Sequence, residues 1–338
     1  ILRTDTEGNE SEIFAFGANT SFSVTDRLSL EFDYGYSKLN RDDIDYESYA
    51  GTGRARSGPL DTITFTMPQS GAYSIDSQLD YTDPSLVLLT DPGGWGQVGF
   101  IKEPKINDEL HQLRAEAEYE LDNGFLKSVV IGWLYTDREK DFDSNEAFVR
   151  PTTAFGDGLP IPSGSIIGST NSRSLGMDII AYDPSSFFED GTYIYDKATF
   201  DTQWRVGEKV HNIYAMANID ATLGSVPVRG NAGLKYVRTE QNSFGTLGGG
   251  LTNNVSDSYE NWLPSVNLAF EVADDTFIRA AFAQSITRAR LDQLRANQNL
   301  NVNPASCEDT NADQIPDTLN AYDPPSTVCF SVDGGNPN

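Results

Sequence analysis

Residues 259–288, YENWLPSVNLAFEVADDTFIRAAFAQSITR, alternate apolar and polar side chains in two runs separated by Ala273-Asp274-Asp275. In the first run Trp262, Val266, Leu268, Phe270 and Val272 share one face, and Ser265, Asn267, Ala269 and Glu271 share the other. That period of two is the one a pleated strand imposes, so the stretch is a β-hairpin. The second run repeats it, with Ile278, Ala280, Phe282 and Ile286 against Arg279, Ala281, Ala283, Ser285 and Thr287. Each run is about ten residues or longer, enough to cross a bilayer at a barrel tilt and more than the usual strand of a soluble sheet.

The same device recurs along the chain. Phe14, Phe16, Ala18, Phe22 and Val24 oppose small and polar neighbours, Thr25-Asp26-Arg27 reverses direction, and Leu28, Leu30, Phe32, Tyr34 and Tyr36 return. Further on, Leu113, Ala115, Ala117, Tyr119 and Leu121 lead through Asp122-Asn123-Gly124 into Phe125, Val129, Ile131, Trp133 and Tyr135. Asn-Gly supplies the positive φ that a hairpin turn requires. The expected strands are 13–24, 28–40, 109–121, 125–139, 209–223, 227–241, 259–272 and 276–289, eight in four hairpins. Short turns alternate with long connections, notably 41–108, 140–207 and 290–338. Bacterial outer-membrane barrels have this asymmetry, with short turns in the periplasm and long loops outside. The expected fold is therefore all-β, an antiparallel transmembrane β-barrel with long extracellular loops. A soluble β-sandwich or propeller stays open on periodicity alone, since alternation does not report lipid.

Composition fits a barrel better than first inspection suggests. Hydrophobic residues make up 38% of the chain, and a barrel tolerates that because only alternate strand residues face lipid. No run of eighteen apolar residues offers a transmembrane helix. The formal charge of −26 disfavours nucleic acid, whose phosphates demand a basic surface. Hydrolase and nucleotide-binding motifs are absent from the sequence, and its two histidines, His111 and His211, fall in different expected strands. No catalytic residue or organic cofactor is expected.

The order NWLPSVNL, an acidic turn, FIRAAFAQSITRARLDQL and, much later, GGNPN resembles the barrel of TonB-dependent outer-membrane receptors. The resemblance is strongest over 259–294 and at Gly334–Asn338. It implies a barrel fragment whose plug domain and remaining strands are absent, located in the bacterial outer membrane. The implied task is uptake of a scarce ligand, driven by the inner-membrane TonB complex acting through the plug. Its surroundings would be the lipid bilayer and lipopolysaccharide. A non-transporting adhesive barrel is the competing reading.

Candidate contacts for the ligand lie in the two long internal connections, where Tyr49, Trp95, Tyr193 and Trp204 stand among Gly, Pro, Asp and Ser. Exposed aromatic faces beside hydrogen-bonding groups suit an oligosaccharide or the aromatic chelate of a ferric siderophore. The same aromatics could equally form small cores that let long loops fold. In the last connection, Asp309, Asn311, Asp313 and Asp317 fall at the first, third, fifth and ninth positions of a calcium loop. Gln314 replaces the usual turn glycine and Asn320 the closing Glu, so an ordinary acidic loop is the other reading. Cys307 and Cys329, the sole cysteines, are expected to form a disulfide there. Closing such a loop would remove roughly 3 kcal/mol of unfolded-chain entropy.

Overall fold

The computed structural model describes residues 1–67, 74–121, 124–154, 156–172, 177–196, 202–247, 251–302 and 330–335. The calcium-loop residues Asp309, Asn311, Asp313 and Asp317, and the cysteines Cys307 and Cys329, lie outside the described residues.

Among the described residues there is no α-helix, and seventeen strands account for most of the chain. They are β1 (Leu2–Ser23), β2 (Leu28–Gly51), β3 (Ile63–Thr66), β4 (Ser74–Ser77), β5 (Leu88–Leu89), β6 (Gly99–Glu120), β7 (Leu126–Pro151), β8 (Leu159–Pro160) and β9 (Ile166–Ser172). Then follow β10 (Met177–Tyr182), β11 (Tyr193–Asp196), β12 (Thr202–Leu223), β13 (Val226–Thr246), β14 (Thr252–Ala273), β15 (Thr276–Ala283), β16 (Gln298–Val302) and β17 (Phe330–Gly334). An eleven-stranded sheet runs in the order β15-β14-β13-β12-β7-β6-β2-β5-β8, with β1 paired to β2 and β11 to β7. Three two-stranded pairs, β9 with β10, β3 with β4 and β16 with β17, complete the set.

Eight strands therefore underestimates the number, and the extra ones are short pieces within the long connections. The long strands also outrun their expected ends. Segment 41–108 is strand up to Gly51 and again from Gly99, and segment 140–207 is strand to Pro151 and from Thr202. A ladder needs only backbone hydrogen bonds to continue, and where both faces are polar it leaves no alternation to read.

One strand is shorter than expected. β15 ends at Ala283 rather than near 289. Its last bond to β14 is Gln284 N–H donating to the Pro264 carbonyl at 3.0 Å. A residue's N–H and C=O point to the same side of a strand, so the missing Pro264 N–H falls on this seam. The pairing loses a donor where the chain departs.

The chain forms two compact units. The first comprises Ile1–Glu10, Arg41–Lys105 and Ser144–Asp201; the second comprises Ser11–Asn40, Ile106–Asp143 and Thr202–Asn338. The first has a conventional core in which Tyr46, Val87, Leu89, Ile101, Val149, Phe187 and Tyr193 are buried together. Ser48 Oγ lies 3.1 Å from the Tyr182 hydroxyl and 3.4 Å from that of Tyr193 at its centre.

The second unit is a ladder of hairpins. β12 pairs with β13 from Trp204↔Gly245 to Leu223↔Val226, and β13 with β14 from Val228↔Phe270 to Thr246↔Thr252. The turns between strands carry positive φ at Gly224 and Asp275, as tight hairpins demand. One face keeps large apolar side chains exposed, including Phe16, Ile131, Ile213, Trp262 and Phe282. At the end of that belt farther from the turns, aromatic rings pair across strands: Tyr36 with His111 at 4.8 Å, Tyr135 with His211 at 4.8 Å and Tyr236 with Trp262 at 4.9 Å. Both histidines are thus members of an aromatic row.

Candidate functional site

The first unit presents an aromatic platform built from two turns. The sequence Asp91-Pro92-Gly93-Gly94-Trp95-Gly96 folds round a carboxylate, because Asp91 Oδ1 accepts the N–H groups of Gly94 (2.8 Å) and Trp95 (2.9 Å) while Oδ2 accepts that of Gly96 (2.7 Å). Asp91 is fully buried, and these three donors replace the water it has lost. The second turn, around Arg54–Arg56, is zipped onto the first by Ala55 N–H to Asp91 O (2.9 Å) and Arg56 N–H to Pro92 O (3.2 Å). Ala55 and Arg56 both carry positive φ, 48° and 66°. Non-glycine residues adopt that region at a cost of about 1–3 kcal/mol each, so the surrounding bonds hold them there.

Trp95 lies on this frame with 58% of its surface exposed. Its indole is folded back over Gly93, where an added Cβ would collide with the ring. Tyr49 meets it edge-on, with ring centroids 5.5 Å apart and planes at 68°. The Tyr49 hydroxyl donates to Glu47 Oε2 at 2.6 Å, and Glu47 Oε1 is paired with Arg3 at 2.9 Å. Burial, reinforced by the Glu47 carboxylate, pushes the Tyr49 phenol up to about 12, so it is a neutral donor at physiological pH. The arrangement is an exposed π-face whose position is fixed from behind.

The structure thus brings two of the four candidate aromatics together. Tyr193 is 1% exposed, its ring set edge-on to Phe187 at 5.1 Å, and it is a core residue of the first unit. Trp204 belongs to the second unit, where it is buried and stacked on Phe142 at 5.3 Å and 6°. Neither ring is free to stack on a ligand. Core and platform aromatics have the same composition around them in sequence; the distinguishing signal is Asp-Pro-Gly-Gly-Trp-Gly, whose glycines leave Trp95 no neighbouring side chain to hide behind.

The second unit's other face is polar and charged. Arg114 is its hub, bonding Glu31 at 3.1 Å, Asp33 at 2.9 Å and Glu116 at 3.0 Å, with the Tyr214 hydroxyl donating to Glu116. Glu118, Ser128 and Asn218 continue the network at 2.6 and 2.8 Å. Arg229 is paired with Asp220 across the β12–β13 ladder. A concavity of about 630 Å³ opens beside Arg114, Tyr214 and Lys235. A larger one, about 1100 Å³, is lined by Trp204, Phe142 and the carboxylates Asp137, Glu139, Asp141 and Asp143. Arg205 pairs with Asp141 and Glu139 there.

An antiparallel ladder with an apolar belt on one face, an aromatic row at its margin and mixed charge on the other is the pattern of a transmembrane β-barrel. Over residues 56–338 the chain matches the family model of the TonB-dependent receptor-like β-barrel, and it belongs to that family. The family is one of bacterial outer-membrane transport receptors rather than of enzymes. No curated protein and no solved structure matches the chain. No helix among the described residues is long and apolar enough to cross a membrane, which is no constraint on strands.

Proposed function

We propose that this chain is the barrel of a receptor for active, TonB-coupled uptake of a scarce ligand, an oligosaccharide or a ferric siderophore, and that Trp95 is an early contact for it. The observation that carries the reading is the platform itself. An indole left 58% exposed yet braced by Gly93, Tyr49 and the buried Asp91 is preorganised to stack on a flat apolar surface. Preorganisation limits the ordering entropy that a mobile side chain would lose on binding. Both ligand classes offer such a surface, a sugar ring through its C–H face and a chelate through its catechol or related ring. The mixed-charge face around Arg114 supplies polar contacts that a plug domain can make and break. The long connections face the outside of the cell in this reading.

The test uses the complete receptor in its outer membrane. Replacing Trp95 by Ala should weaken ligand binding about tenfold or more, from the loss of one aromatic stacking partner, while removal of the TonB partner should leave binding intact and stop uptake. Uptake that survives without the partner would mean a passive channel. Binding that never leads to uptake would identify an adhesive barrel.

A further inference from the structure

After Gln284 the chain does not rejoin the sheet. It crosses the charged face of β12 and β13 as a strap, residues 284–297. Three separate parts of the sequence make this crossing possible. Pro264 removes the donor that would have kept β15 in register. Arg288 reaches Glu208 at 2.7 Å, and Gln241 donates to the second oxygen of the same carboxylate at 2.8 Å. The 3-10 turn Leu291–Leu294 then sets Leu291 and Leu294 on Trp204 and Val206. Close backbone passage needs glycine on both sides of the strap. A Cβ on Gly245 would strike the Asn297 backbone from the sheet side, and one on Gly335 would strike the carbonyls of Arg295 and Gln293. The segments around Pro264, Arg288–Leu294 and Gly334–Gly335 are therefore parts of one local construction.

The seam beneath the strap is incompletely satisfied. Of the buried side-chain polar atoms without a hydrogen-bond partner among the described residues, Thr239 Oγ1, Ser243 Oγ, Arg295 Nε and Asn297 Oδ1 all lie along it. Thr239 and Ser243 are the ladder partners of Val210 and Val206, on the face that the strap covers. A permanent core is selected against such orphans because each costs about 1–3 kcal/mol. Water satisfies them when the strap lifts, which lowers the cost of opening. The strap also forms one wall of the 630 Å³ concavity through Ile286 and Arg288, opposite Arg114, Tyr214 and Lys235.

We propose that residues 284–297 form a releasable strap that closes the inward cleft of the second unit and must lift for cargo to pass. Its release is a property of this chain alone; its consequence for passage rests on the uptake reading above. The test uses the complete receptor carrying Cys307→Ser and Cys329→Ser. With Leu294→Cys added, a small maleimide should label the thiol at least tenfold faster than a thiol introduced by Val130→Cys, a residue buried within the ladder away from the strap. Arg288→Met should speed labelling further, and Thr239→Val, which removes an orphan, should slow it. Leu294→Cys reacting no faster than Val130→Cys would overturn the strap's release. The second arm pairs Val206→Cys with Leu291→Cys to form a disulfide lock. The locked receptor should bind as before, lose uptake and regain it on reduction; undiminished uptake while locked would overturn its role in passage. A receptor that fails to transport even unlocked removes the uptake reading instead, and the labelling rates still decide whether the strap moves.

Discussion

The two units bury their apolar side chains in opposite ways. In the first, Val87, Leu89, Ile101, Val149 and Phe187 have almost no surface left, and polar atoms face outward as in any water-soluble fold. In the second, side chains as large as Trp262 and Phe282 remain about three-fifths exposed (60% and 61%), arranged on alternate residues of one face. Such a surface is costly in water at about 25 cal/mol per Å². It is favourable against lipid. The comparison teaches that a strand's sequence reports its solvent rather than its ladder: the hydrogen bonds of β14 run unbroken to Thr252, whereas the alternation that marks its face is confined to the part nearer the turn.

The largest separation between the units is expected at high pH. Burial raises the phenols of Tyr46, Tyr182 and Tyr193 above their ordinary value, and burial with the Glu47 contact takes Tyr49 to about 12. Folded-state values above the unfolded ones mean that the first unit holds protons the unfolded chain has lost. Its stability is thus fully present below about pH 10 and drains away as pH rises through the folded values. Tyrosinate absorbance and protease cutting within 41–105 and 144–196 should appear together in that range, before the second unit's ladder opens. Simultaneous loss of both units would break the distinction.

Truncation of the core is next. Phe187→Ala should cost about 3–5 kcal/mol and free the first unit's connections to proteolysis, with the second unit's hairpins unaffected. Somewhat smaller is the lipid-face effect. Val266→Arg, mid-belt between Ala232 and Phe282, should cost about 2–4 kcal/mol in a bilayer, whereas Asn267→Arg beside it should stay within about 0.5 kcal/mol. Equal costs would mean that the two faces share one solvent. The smallest effect belongs to Arg114→Met, about 1 kcal/mol at low salt and less at high salt, since the guanidinium is partly wet although it serves three carboxylates. Urea titration of the reconstituted protein measures all three.

Much of the second unit was legible. The turns at 25–27, 224–225 and 274–275 and the residues sharing each face follow from period two, because lipid on one side and water on the other force opposite side-chain chemistry. The same logic explains what was missed. Beyond the aromatic row both faces of β7 are wet, so Asp137, Arg138, Glu139 and Lys140 continue the strand with no alternation to betray it. The strap was hidden because Ile286 and Thr287 keep the period going after Pro264 has removed the bond that would hold them in the sheet. In the first unit, Tyr49 and Trp95 were read as ligand contacts beside Tyr193 and Trp204, and only the folded arrangement separates the braced, exposed ring from the enclosed ones. Aromatic content alone does not record burial.

The central claim is that the second unit's apolar face is covered by lipid. Spin labels placed singly along β14 in the reconstituted, cysteine-free protein test it through their relaxation by oxygen, which concentrates in lipid, and by a water-soluble nickel chelate. The account predicts oxygen maxima at 262, 266, 268 and 270, chelate maxima at 265 and 267, and chelate access on both faces from 253 to 258. Chelate access at every position of β14, with no oxygen maximum on either face, would contradict it.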